Sequence, residues 1–117
     1  MFPKLNKWDV VFLEWDLGAW KTTLAKSLIT NHIDNNVNVI SPTYVYYKKY
    51  GEIYHFDLYR LNNYEEFVQI WGEEIVLSGD FISIIEWPEI IESYVRPVWS
   101  VDISVLENWE RHFSIKT

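Results

Sequence analysis

Leu13-Glu14-Trp15-Asp16-Leu17-Gly18-Ala19-Trp20-Lys21-Thr22-Thr23 decides how this chain is read. The stretch follows an apolar run, Val10-Val11-Phe12-Leu13, and opens a helix-like run from Thr22 to Ile29. Strand, loop and helix with Lys-Thr at the junction is the layout of a phosphate-binding P-loop, G-x-x-x-x-G-K-[ST]. In such a loop, backbone N–H groups and a helix N-terminus surround phosphate oxygens. Lys21 would reach the phosphates, and the Thr22 hydroxyl would bind Mg²⁺. Trp15 and Trp20 stand at the two glycine positions of the pattern. Glycine serves there because the backbone takes unusual dihedrals and approaches the phosphate closely. An indole beside Lys21 therefore predicts weakened phosphate binding. The same residues also read as a plain strand–turn–helix unit in which Lys-Thr-Thr caps a helix.

Composition bounds the alternatives. With 117 residues, 49% of them hydrophobic, the chain is one domain with a single core rather than a disordered segment. It has no cysteine, which removes disulfides and thiolate metal sites and suits the reducing cytoplasm. The start, Met1 to Lys7, lacks an apolar signal region. No apolar run approaches the roughly 18 residues of a membrane span. A net charge of −7 argues against a broad groove for a nucleic-acid backbone. Four glycines are few and seven tryptophans many for this length. Trp8, Trp15, Trp20, Trp71 and Trp109 all sit where a turn or loop would more naturally carry glycine.

Working outward, residues 9–14 predict a buried strand and Thr22 to Asn31 a first helix. Val37 to Ile40 is a short strand candidate. Pro42 makes Ser41-Pro42-Thr43 a loop. Tyr44 to Tyr50 and Ile53 to Leu58 read as a hairpin about Gly51. Asn62-Asn63 caps a helix that has acids in its first turn, and Glu73 to Leu77 predicts another helical turn. Phe81 to Ile85 is a second buried strand, ending in Glu86-Trp87-Pro88-Glu89. Ile90 to Tyr94 predicts a brief helix. Trp99 to Leu106 and Arg111 to Ile115 predict a terminal hairpin.

Ligands of open α/β sheets bind outside the carboxyl ends of strands. Glu86 and the Lys21-Thr22-Thr23 loop both follow apolar strands, and a carboxylate there can hold a P-loop metal. Thr43 could sense a γ-phosphate as a switch. Asp57, in His55-Phe56-Asp57-Leu58-Tyr59-Arg60, is a further candidate. The plainer readings are a turn for Thr43, an Arg60 partner or cap for Asp57, a solvated strand end for Glu86 and a half-buried strand position for His55.

Asp-Leu-Gly-Ala-x-Lys-Thr-Thr, Ser-Pro-Thr-Tyr, Tyr-His-Phe-Asp-Leu-Tyr-Arg-Leu and Ile-Glu-Trp-Pro-Glu, in this order and spacing, resemble the TsaE family, formerly YjeE. The resemblance runs from about Lys7 to the C-terminus. It implies a P-loop NTPase-like α/β fold of three layers, with a mixed central sheet, antiparallel hairpins and few short helices. It also implies one domain over 1–117, lacking the helical segment that usually precedes the first strand.

By the same resemblance, Asp16, Leu17, Gly18, Ala19, Trp20, Lys21, Thr22 and Thr23 would hold ATP, and Thr22 and Glu86 would hold Mg²⁺. Thr43 would lie in a switch loop, and Asp57 near the nucleotide in support of hydrolysis. Arg111 would be a weaker nucleotide contact, and Trp87 a surface residue for a partner. The implied function is a weak ATPase that supports N6-threonylcarbamoyladenosine formation at tRNA position 37. Its partner would be the threonylcarbamoyl transferase complex of TsaB- and TsaD-like proteins. Tryptophan at positions 15 and 20 leaves a binding module without turnover as the alternative. A small-molecule kinase is disfavoured because residues 60–80 carry only Arg60 among basic residues.

Overall fold

The computed structural model describes residues 5–15, 25–30, 46–105 and 111–116; the side chains of 15, 99, 101–105 and 111–116 are outside the description. Two apolar strands set the architecture. Val10, Val11, Phe12 and Leu13 in β1 (Val10–Trp15) are all buried, as is every residue of β4 (Ile82–Glu86). A strand buried on both faces belongs in the middle of a sheet covered by helices on each side.

Among the described residues the sheet has six strands, in the order β2-β3-β4-β1-β5-β6. β3 (Ile53–Asp57), β4, β1 and β5 (Trp99–Val105) run parallel. β2 (Tyr47–Tyr50) and β6 (Arg111–Lys116) pair antiparallel at the two edges. The mixed sheet and both hairpins agree with expectation. The Val37 to Ile40 strand and the turn at 107–110 lie outside the described residues.

Alternation divides the core. Val11, Leu13, Ile53, Ile82 and Ile84 face one side, where α1 (the helical residues 25–30) lays Ala25, Leu28 and Ile29 on them. Val10, Phe12, Phe56 and Ile85 face the other side and pack on Phe67, Val76, Ile91 and Val95. Three layers result. On the second face, Asn63 caps α2 (Tyr64–Gln69) by accepting the Glu66 N–H at 3.0 Å, as the sequence predicts. Tyr64 ties α2 to α3 (Gly72–Leu77) by donating to Glu73 at 2.6 Å. Burial and that carboxylate together hold the Tyr64 phenol above its ordinary range. The segment after β4 differs from expectation. It forms a 3₁₀ turn at Pro88–Ile90 and then further turns through residue 94, not a helix over Ile90 to Tyr94. Pro88, with its φ already set, starts the coil early, and Arg96-Pro97 prevents its extension.

The α2–α3 junction brings opposite demands to neighbouring residues. Trp71 has φ 70° and ψ 13°, and its N–H donates to the Val68 carbonyl at 3.0 Å. That is the left-handed position just past a helix end, where glycine is the usual occupant. Gly72 is needed for space. A Cβ there would come within 2.4 Å of the Phe67 ring, which is fully buried. We expect Gly72→Ala to destabilise by about 1–3 kcal/mol through overpacking. Trp71→Gly should stabilise by about 1–2 kcal/mol through release of left-handed strain. Urea midpoints of the two variants would show these opposite signs; a shift in the same direction for both would contradict the assignment.

Candidate functional site

Parallel pairing carries the candidate residues to one edge. Glu86, the last residue of β4, lies in register with Asp57 of β3 on one side and Leu13 of β1 on the other. Trp15 ends β1 at the same carboxyl edge, and Asp16 to Thr23 follow it directly in sequence, outside the described residues. Arg111, at the start of β6, pairs with Val105, the last residue of β5. Because β5 is parallel to β1, Arg111 belongs to this edge too. Thr43 is also outside the description. The Tyr46 carbonyl accepts the Asp57 N–H at 2.9 Å.

Glu86 is not a solvated strand end. Its residue exposure is 2%, and its Oε2 lies 2.5 Å from Nε2 of His55, which is fully buried rather than half-buried. A buried carboxyl group needs a hydrogen-bonded partner, and the His55 ring nitrogen is in place as that partner. His55 sits two residues before Asp57, so strand alternation puts both on the α1 face with Glu86. Period-two spacing in His-Phe-Asp was the available signal. The partnership itself is a cross-strand diagonal and was not legible. His55 Nδ1 has no partner among the described residues.

Asp57 is half-buried, and its Oδ1 accepts the Tyr59 N–H at 3.0 Å. That bond turns the chain sharply after β3. Trp87 follows Glu86 in a left-handed conformation, φ 57° and ψ 60°, immediately before Pro88. Its half-buried ring meets Tyr59 with centroids 5.0 Å apart. Tyr59 is well exposed. The loops after β3 and β4 thus join through an aromatic pair beside the two carboxylates. Tyr59 was missed by the sequence reading because nothing in a single exposed tyrosine signals its cross-loop partner.

The donor chemistry suits magnesium. Two carboxylates stand in adjacent register, and Mg²⁺ favours one or two carboxylates completed by phosphates and water. Among the described residues no group of three or more acids, histidines or cysteines forms a self-sufficient metal cage. None of the described helices is long and apolar enough to cross a membrane.

A parallel-centred sheet with Lys-Thr-Thr between its central strand and the next helix, and an acid ending the adjacent strand, defines a P-loop class fold. The family model for the threonylcarbamoyl adenosine biosynthesis protein TsaE matches residues 1–113. The chain belongs to the TsaE family. Its sequence is 39% identical over 113 residues to the tRNA threonylcarbamoyladenosine biosynthesis protein TsaE of Rickettsia typhi, covering 92% of this chain and 77% of that one. It is 43% identical over 84 residues to the TsaE of Haemophilus influenzae, covering 68% and 52%. The crystal structure of Bacillus subtilis YdiB superposes with a TM-score of 0.68 at 26% identity, covering 92% of this chain and 66% of that chain.

The His55–Glu86 pair yields a direct test. His55→Leu removes the donor and leaves a buried acceptor unpaired, which should cost about 1–3 kcal/mol. His55→Gln keeps an N–H near the Nε2 position and should recover part of the loss. Denaturant titration would rank the three proteins; equal losses in the two variants would mean that packing, not the hydrogen bond, is what His55 supplies.

Proposed function

We propose that this chain binds ATP with Mg²⁺ at the carboxyl edge of its sheet and hydrolyses it in support of tRNA threonylcarbamoyladenosine formation. The single observation carrying this reading is the register that sets Asp57 and Glu86 side by side next to the strand leading into the Lys-Thr-Thr loop. Family membership supports the pathway.

In this reading residues Asp16 to Thr23 wrap the phosphates, with Lys21 opposing their charge. Thr22 and Glu86 hold the metal, whose role when bound is to neutralise charge on the β- and γ-phosphates. His55 keeps the Glu86 carboxylate oriented. Asp57, one oxygen fixed by the Tyr59 N–H, positions the attacking water; the γ-phosphoryl group passes to it, leaving ADP and inorganic phosphate. Thr43 reports the γ-phosphate, and Arg111 contributes a positive charge from the far side. The partner is the threonylcarbamoyl transferase complex of TsaB- and TsaD-like proteins in the cytoplasm. Trp87 and Tyr59 form the docking edge, since a large aromatic face at a rim is a frequent binding hot spot.

A kinase reading fares worse on structure as well as sequence. Residues 64–77, where an acceptor lid would fall, are α2 and α3, and both are tied into the core through Phe67 and Val76.

Two outcomes check the proposal. Thr22→Ala and Glu86→Gln should each abolish the Mg²⁺-dependent part of ATP binding, read as the rise in melting temperature on adding ATP with and without Mg²⁺. Saturation a hundredfold above Kd corresponds to about 2.7 kcal/mol. Wild-type metal dependence in both variants would remove these residues from the site. Trp87→Ala should leave ATP affinity within a few-fold of the parent while weakening binding to the transferase complex at least tenfold, about 1.4 kcal/mol. Calorimetry with the partner complex, without tRNA, would show it. A folded variant that binds normally would end the docking role.

A further inference from the structure

Three non-glycine residues among those described have positive φ, and all three are tryptophan: Trp8 at 73°, Trp71 at 70° and Trp87 at 57°. Bulky residues are genuine outliers in this region; asparagine and aspartate are its usual non-glycine occupants. Trp87 has a reason to be there, because its half-buried ring packs on Tyr59. Trp8 and Trp71 do not share it, with exposures of 66% and 64%.

The backbone defines both positions independently of the side chain. Asp9 N–H donates to the Asn6 carbonyl at 3.0 Å, closing a turn over 6–9. Trp8 is its third residue and Lys7 is not among the positive-φ residues, the pattern of a type II turn, which calls for glycine at that place. Trp71 is the left-handed residue that closes α2, again a glycine position.

Three further tryptophans fall on glycine positions by sequence. Trp15 and Trp20 are the two glycines of the phosphate-loop pattern. Trp109 falls between β5 and β6, whose register sets Val105 opposite Arg111 and so calls for a connection of odd length; a three-residue hairpin loop over 107–109 takes glycine at its last, left-handed position. The composition agrees, with four glycines and seven tryptophans.

We propose that positions 8, 15, 20, 71 and 109 are glycine in the protein as its own cells make it. The route is a single codon that those cells decode as glycine and that stands as tryptophan in this sequence. Trp87, whose ring packs on Tyr59, and Trp99, a residue of β5 that is not among the positive-φ residues, stay tryptophan. The loop then reads E-G-D-L-G-A-G-K-T-T, a match to the phosphate-binding pattern with no departure. For positions 15 and 20 the inference rests on the phosphate-loop reading. For 8 and 71 it rests on backbone geometry alone.

Peptide mapping by mass spectrometry, on the chain purified from its own cells, tests this directly. The expected result is glycine at all five positions and tryptophan at 87 and 99. Tryptophan in the native peptides at 8 and 71 overturns the proposal; tryptophan at any other of the five overturns it at that position. The gene supplies a second check. The five positions should share one codon that differs from the codon at 87 and 99, and one codon common to all seven would overturn the decoding route.

A recombinant comparison separates this inference from the functional one. Trp8→Gly combined with Trp71→Gly should raise the urea midpoint, and an unchanged or lower midpoint counts against the geometry. Trp15→Gly combined with Trp20→Gly should raise affinity for a fluorescent ATP analogue at least tenfold. Native glycine at 15 and 20 without nucleotide binding in that variant would leave the residue assignment standing and overturn the ATP reading.

Discussion

The parallel pairing of β1 with β4 is the constraint on which the rest depends. Both strands are buried on both faces, so they must lie side by side in the middle of the sheet. Parallel direction then places their carboxyl ends together, and Leu13 in register with Glu86 sets the phase. A slip of one residue would turn the alternating side chains of β4 to the opposite faces. Glu86 would leave the α1 side and enter the second core among the apolar rings of Phe12, Phe56 and Phe67. The apolar sequence of β4 thus locks the one acid at its end into a defined position.

That position has a cost, and His55 offsets it. Burying a carboxylate at a strand end is unfavourable unless a donor accompanies it, and the cross-strand imidazole is that donor. Asp57, two residues on, keeps a half-exposed carboxylate at the same edge. Two acids in register on adjacent strands therefore have different surroundings: Glu86 is buried against a ring, and Asp57 is half-buried and accepts a backbone N–H. Under the proposed function, the first of these would hold the metal and the second would direct the water.

Among the described residues, left-handed backbone outside glycine occurs at Trp8, Trp71 and Trp87, and the three do not have the same surroundings. Trp87 turns the chain out of the sheet at the end of β4, against Tyr59 from the neighbouring loop, so its left-handed backbone accompanies a specific contact. Trp8 and Trp71 show the same backbone with no comparable burial. The contrast separates a tryptophan that its surroundings require from one that the backbone merely tolerates.

Much of the fold was readable in the chain. Continuous apolar runs identified β1 and β4, aromatic and branched residues on either side of Gly51 identified the first hairpin, and Asn63 announced α2, because these signals are local and depend on side-chain type, turn chemistry and capping. The tryptophans at 8 and 71 were recognisable as glycine-like positions from their turn context. The sequence also nominated Asp57, Glu86 and Trp87, since each ends or follows a strand-like run in a family-like motif. Only the tertiary structure decided that Glu86 is buried, that His55 is its partner and that Tyr59 meets Trp87. The segment after Pro88 likewise became a 3₁₀ turn, not the helix its apolar spacing suggested. Both contacts join residues from different strands or loops, and they, like the burial of Glu86, depend on sheet order and register. Local spacing along one strand carries no information about which strand lies beside it.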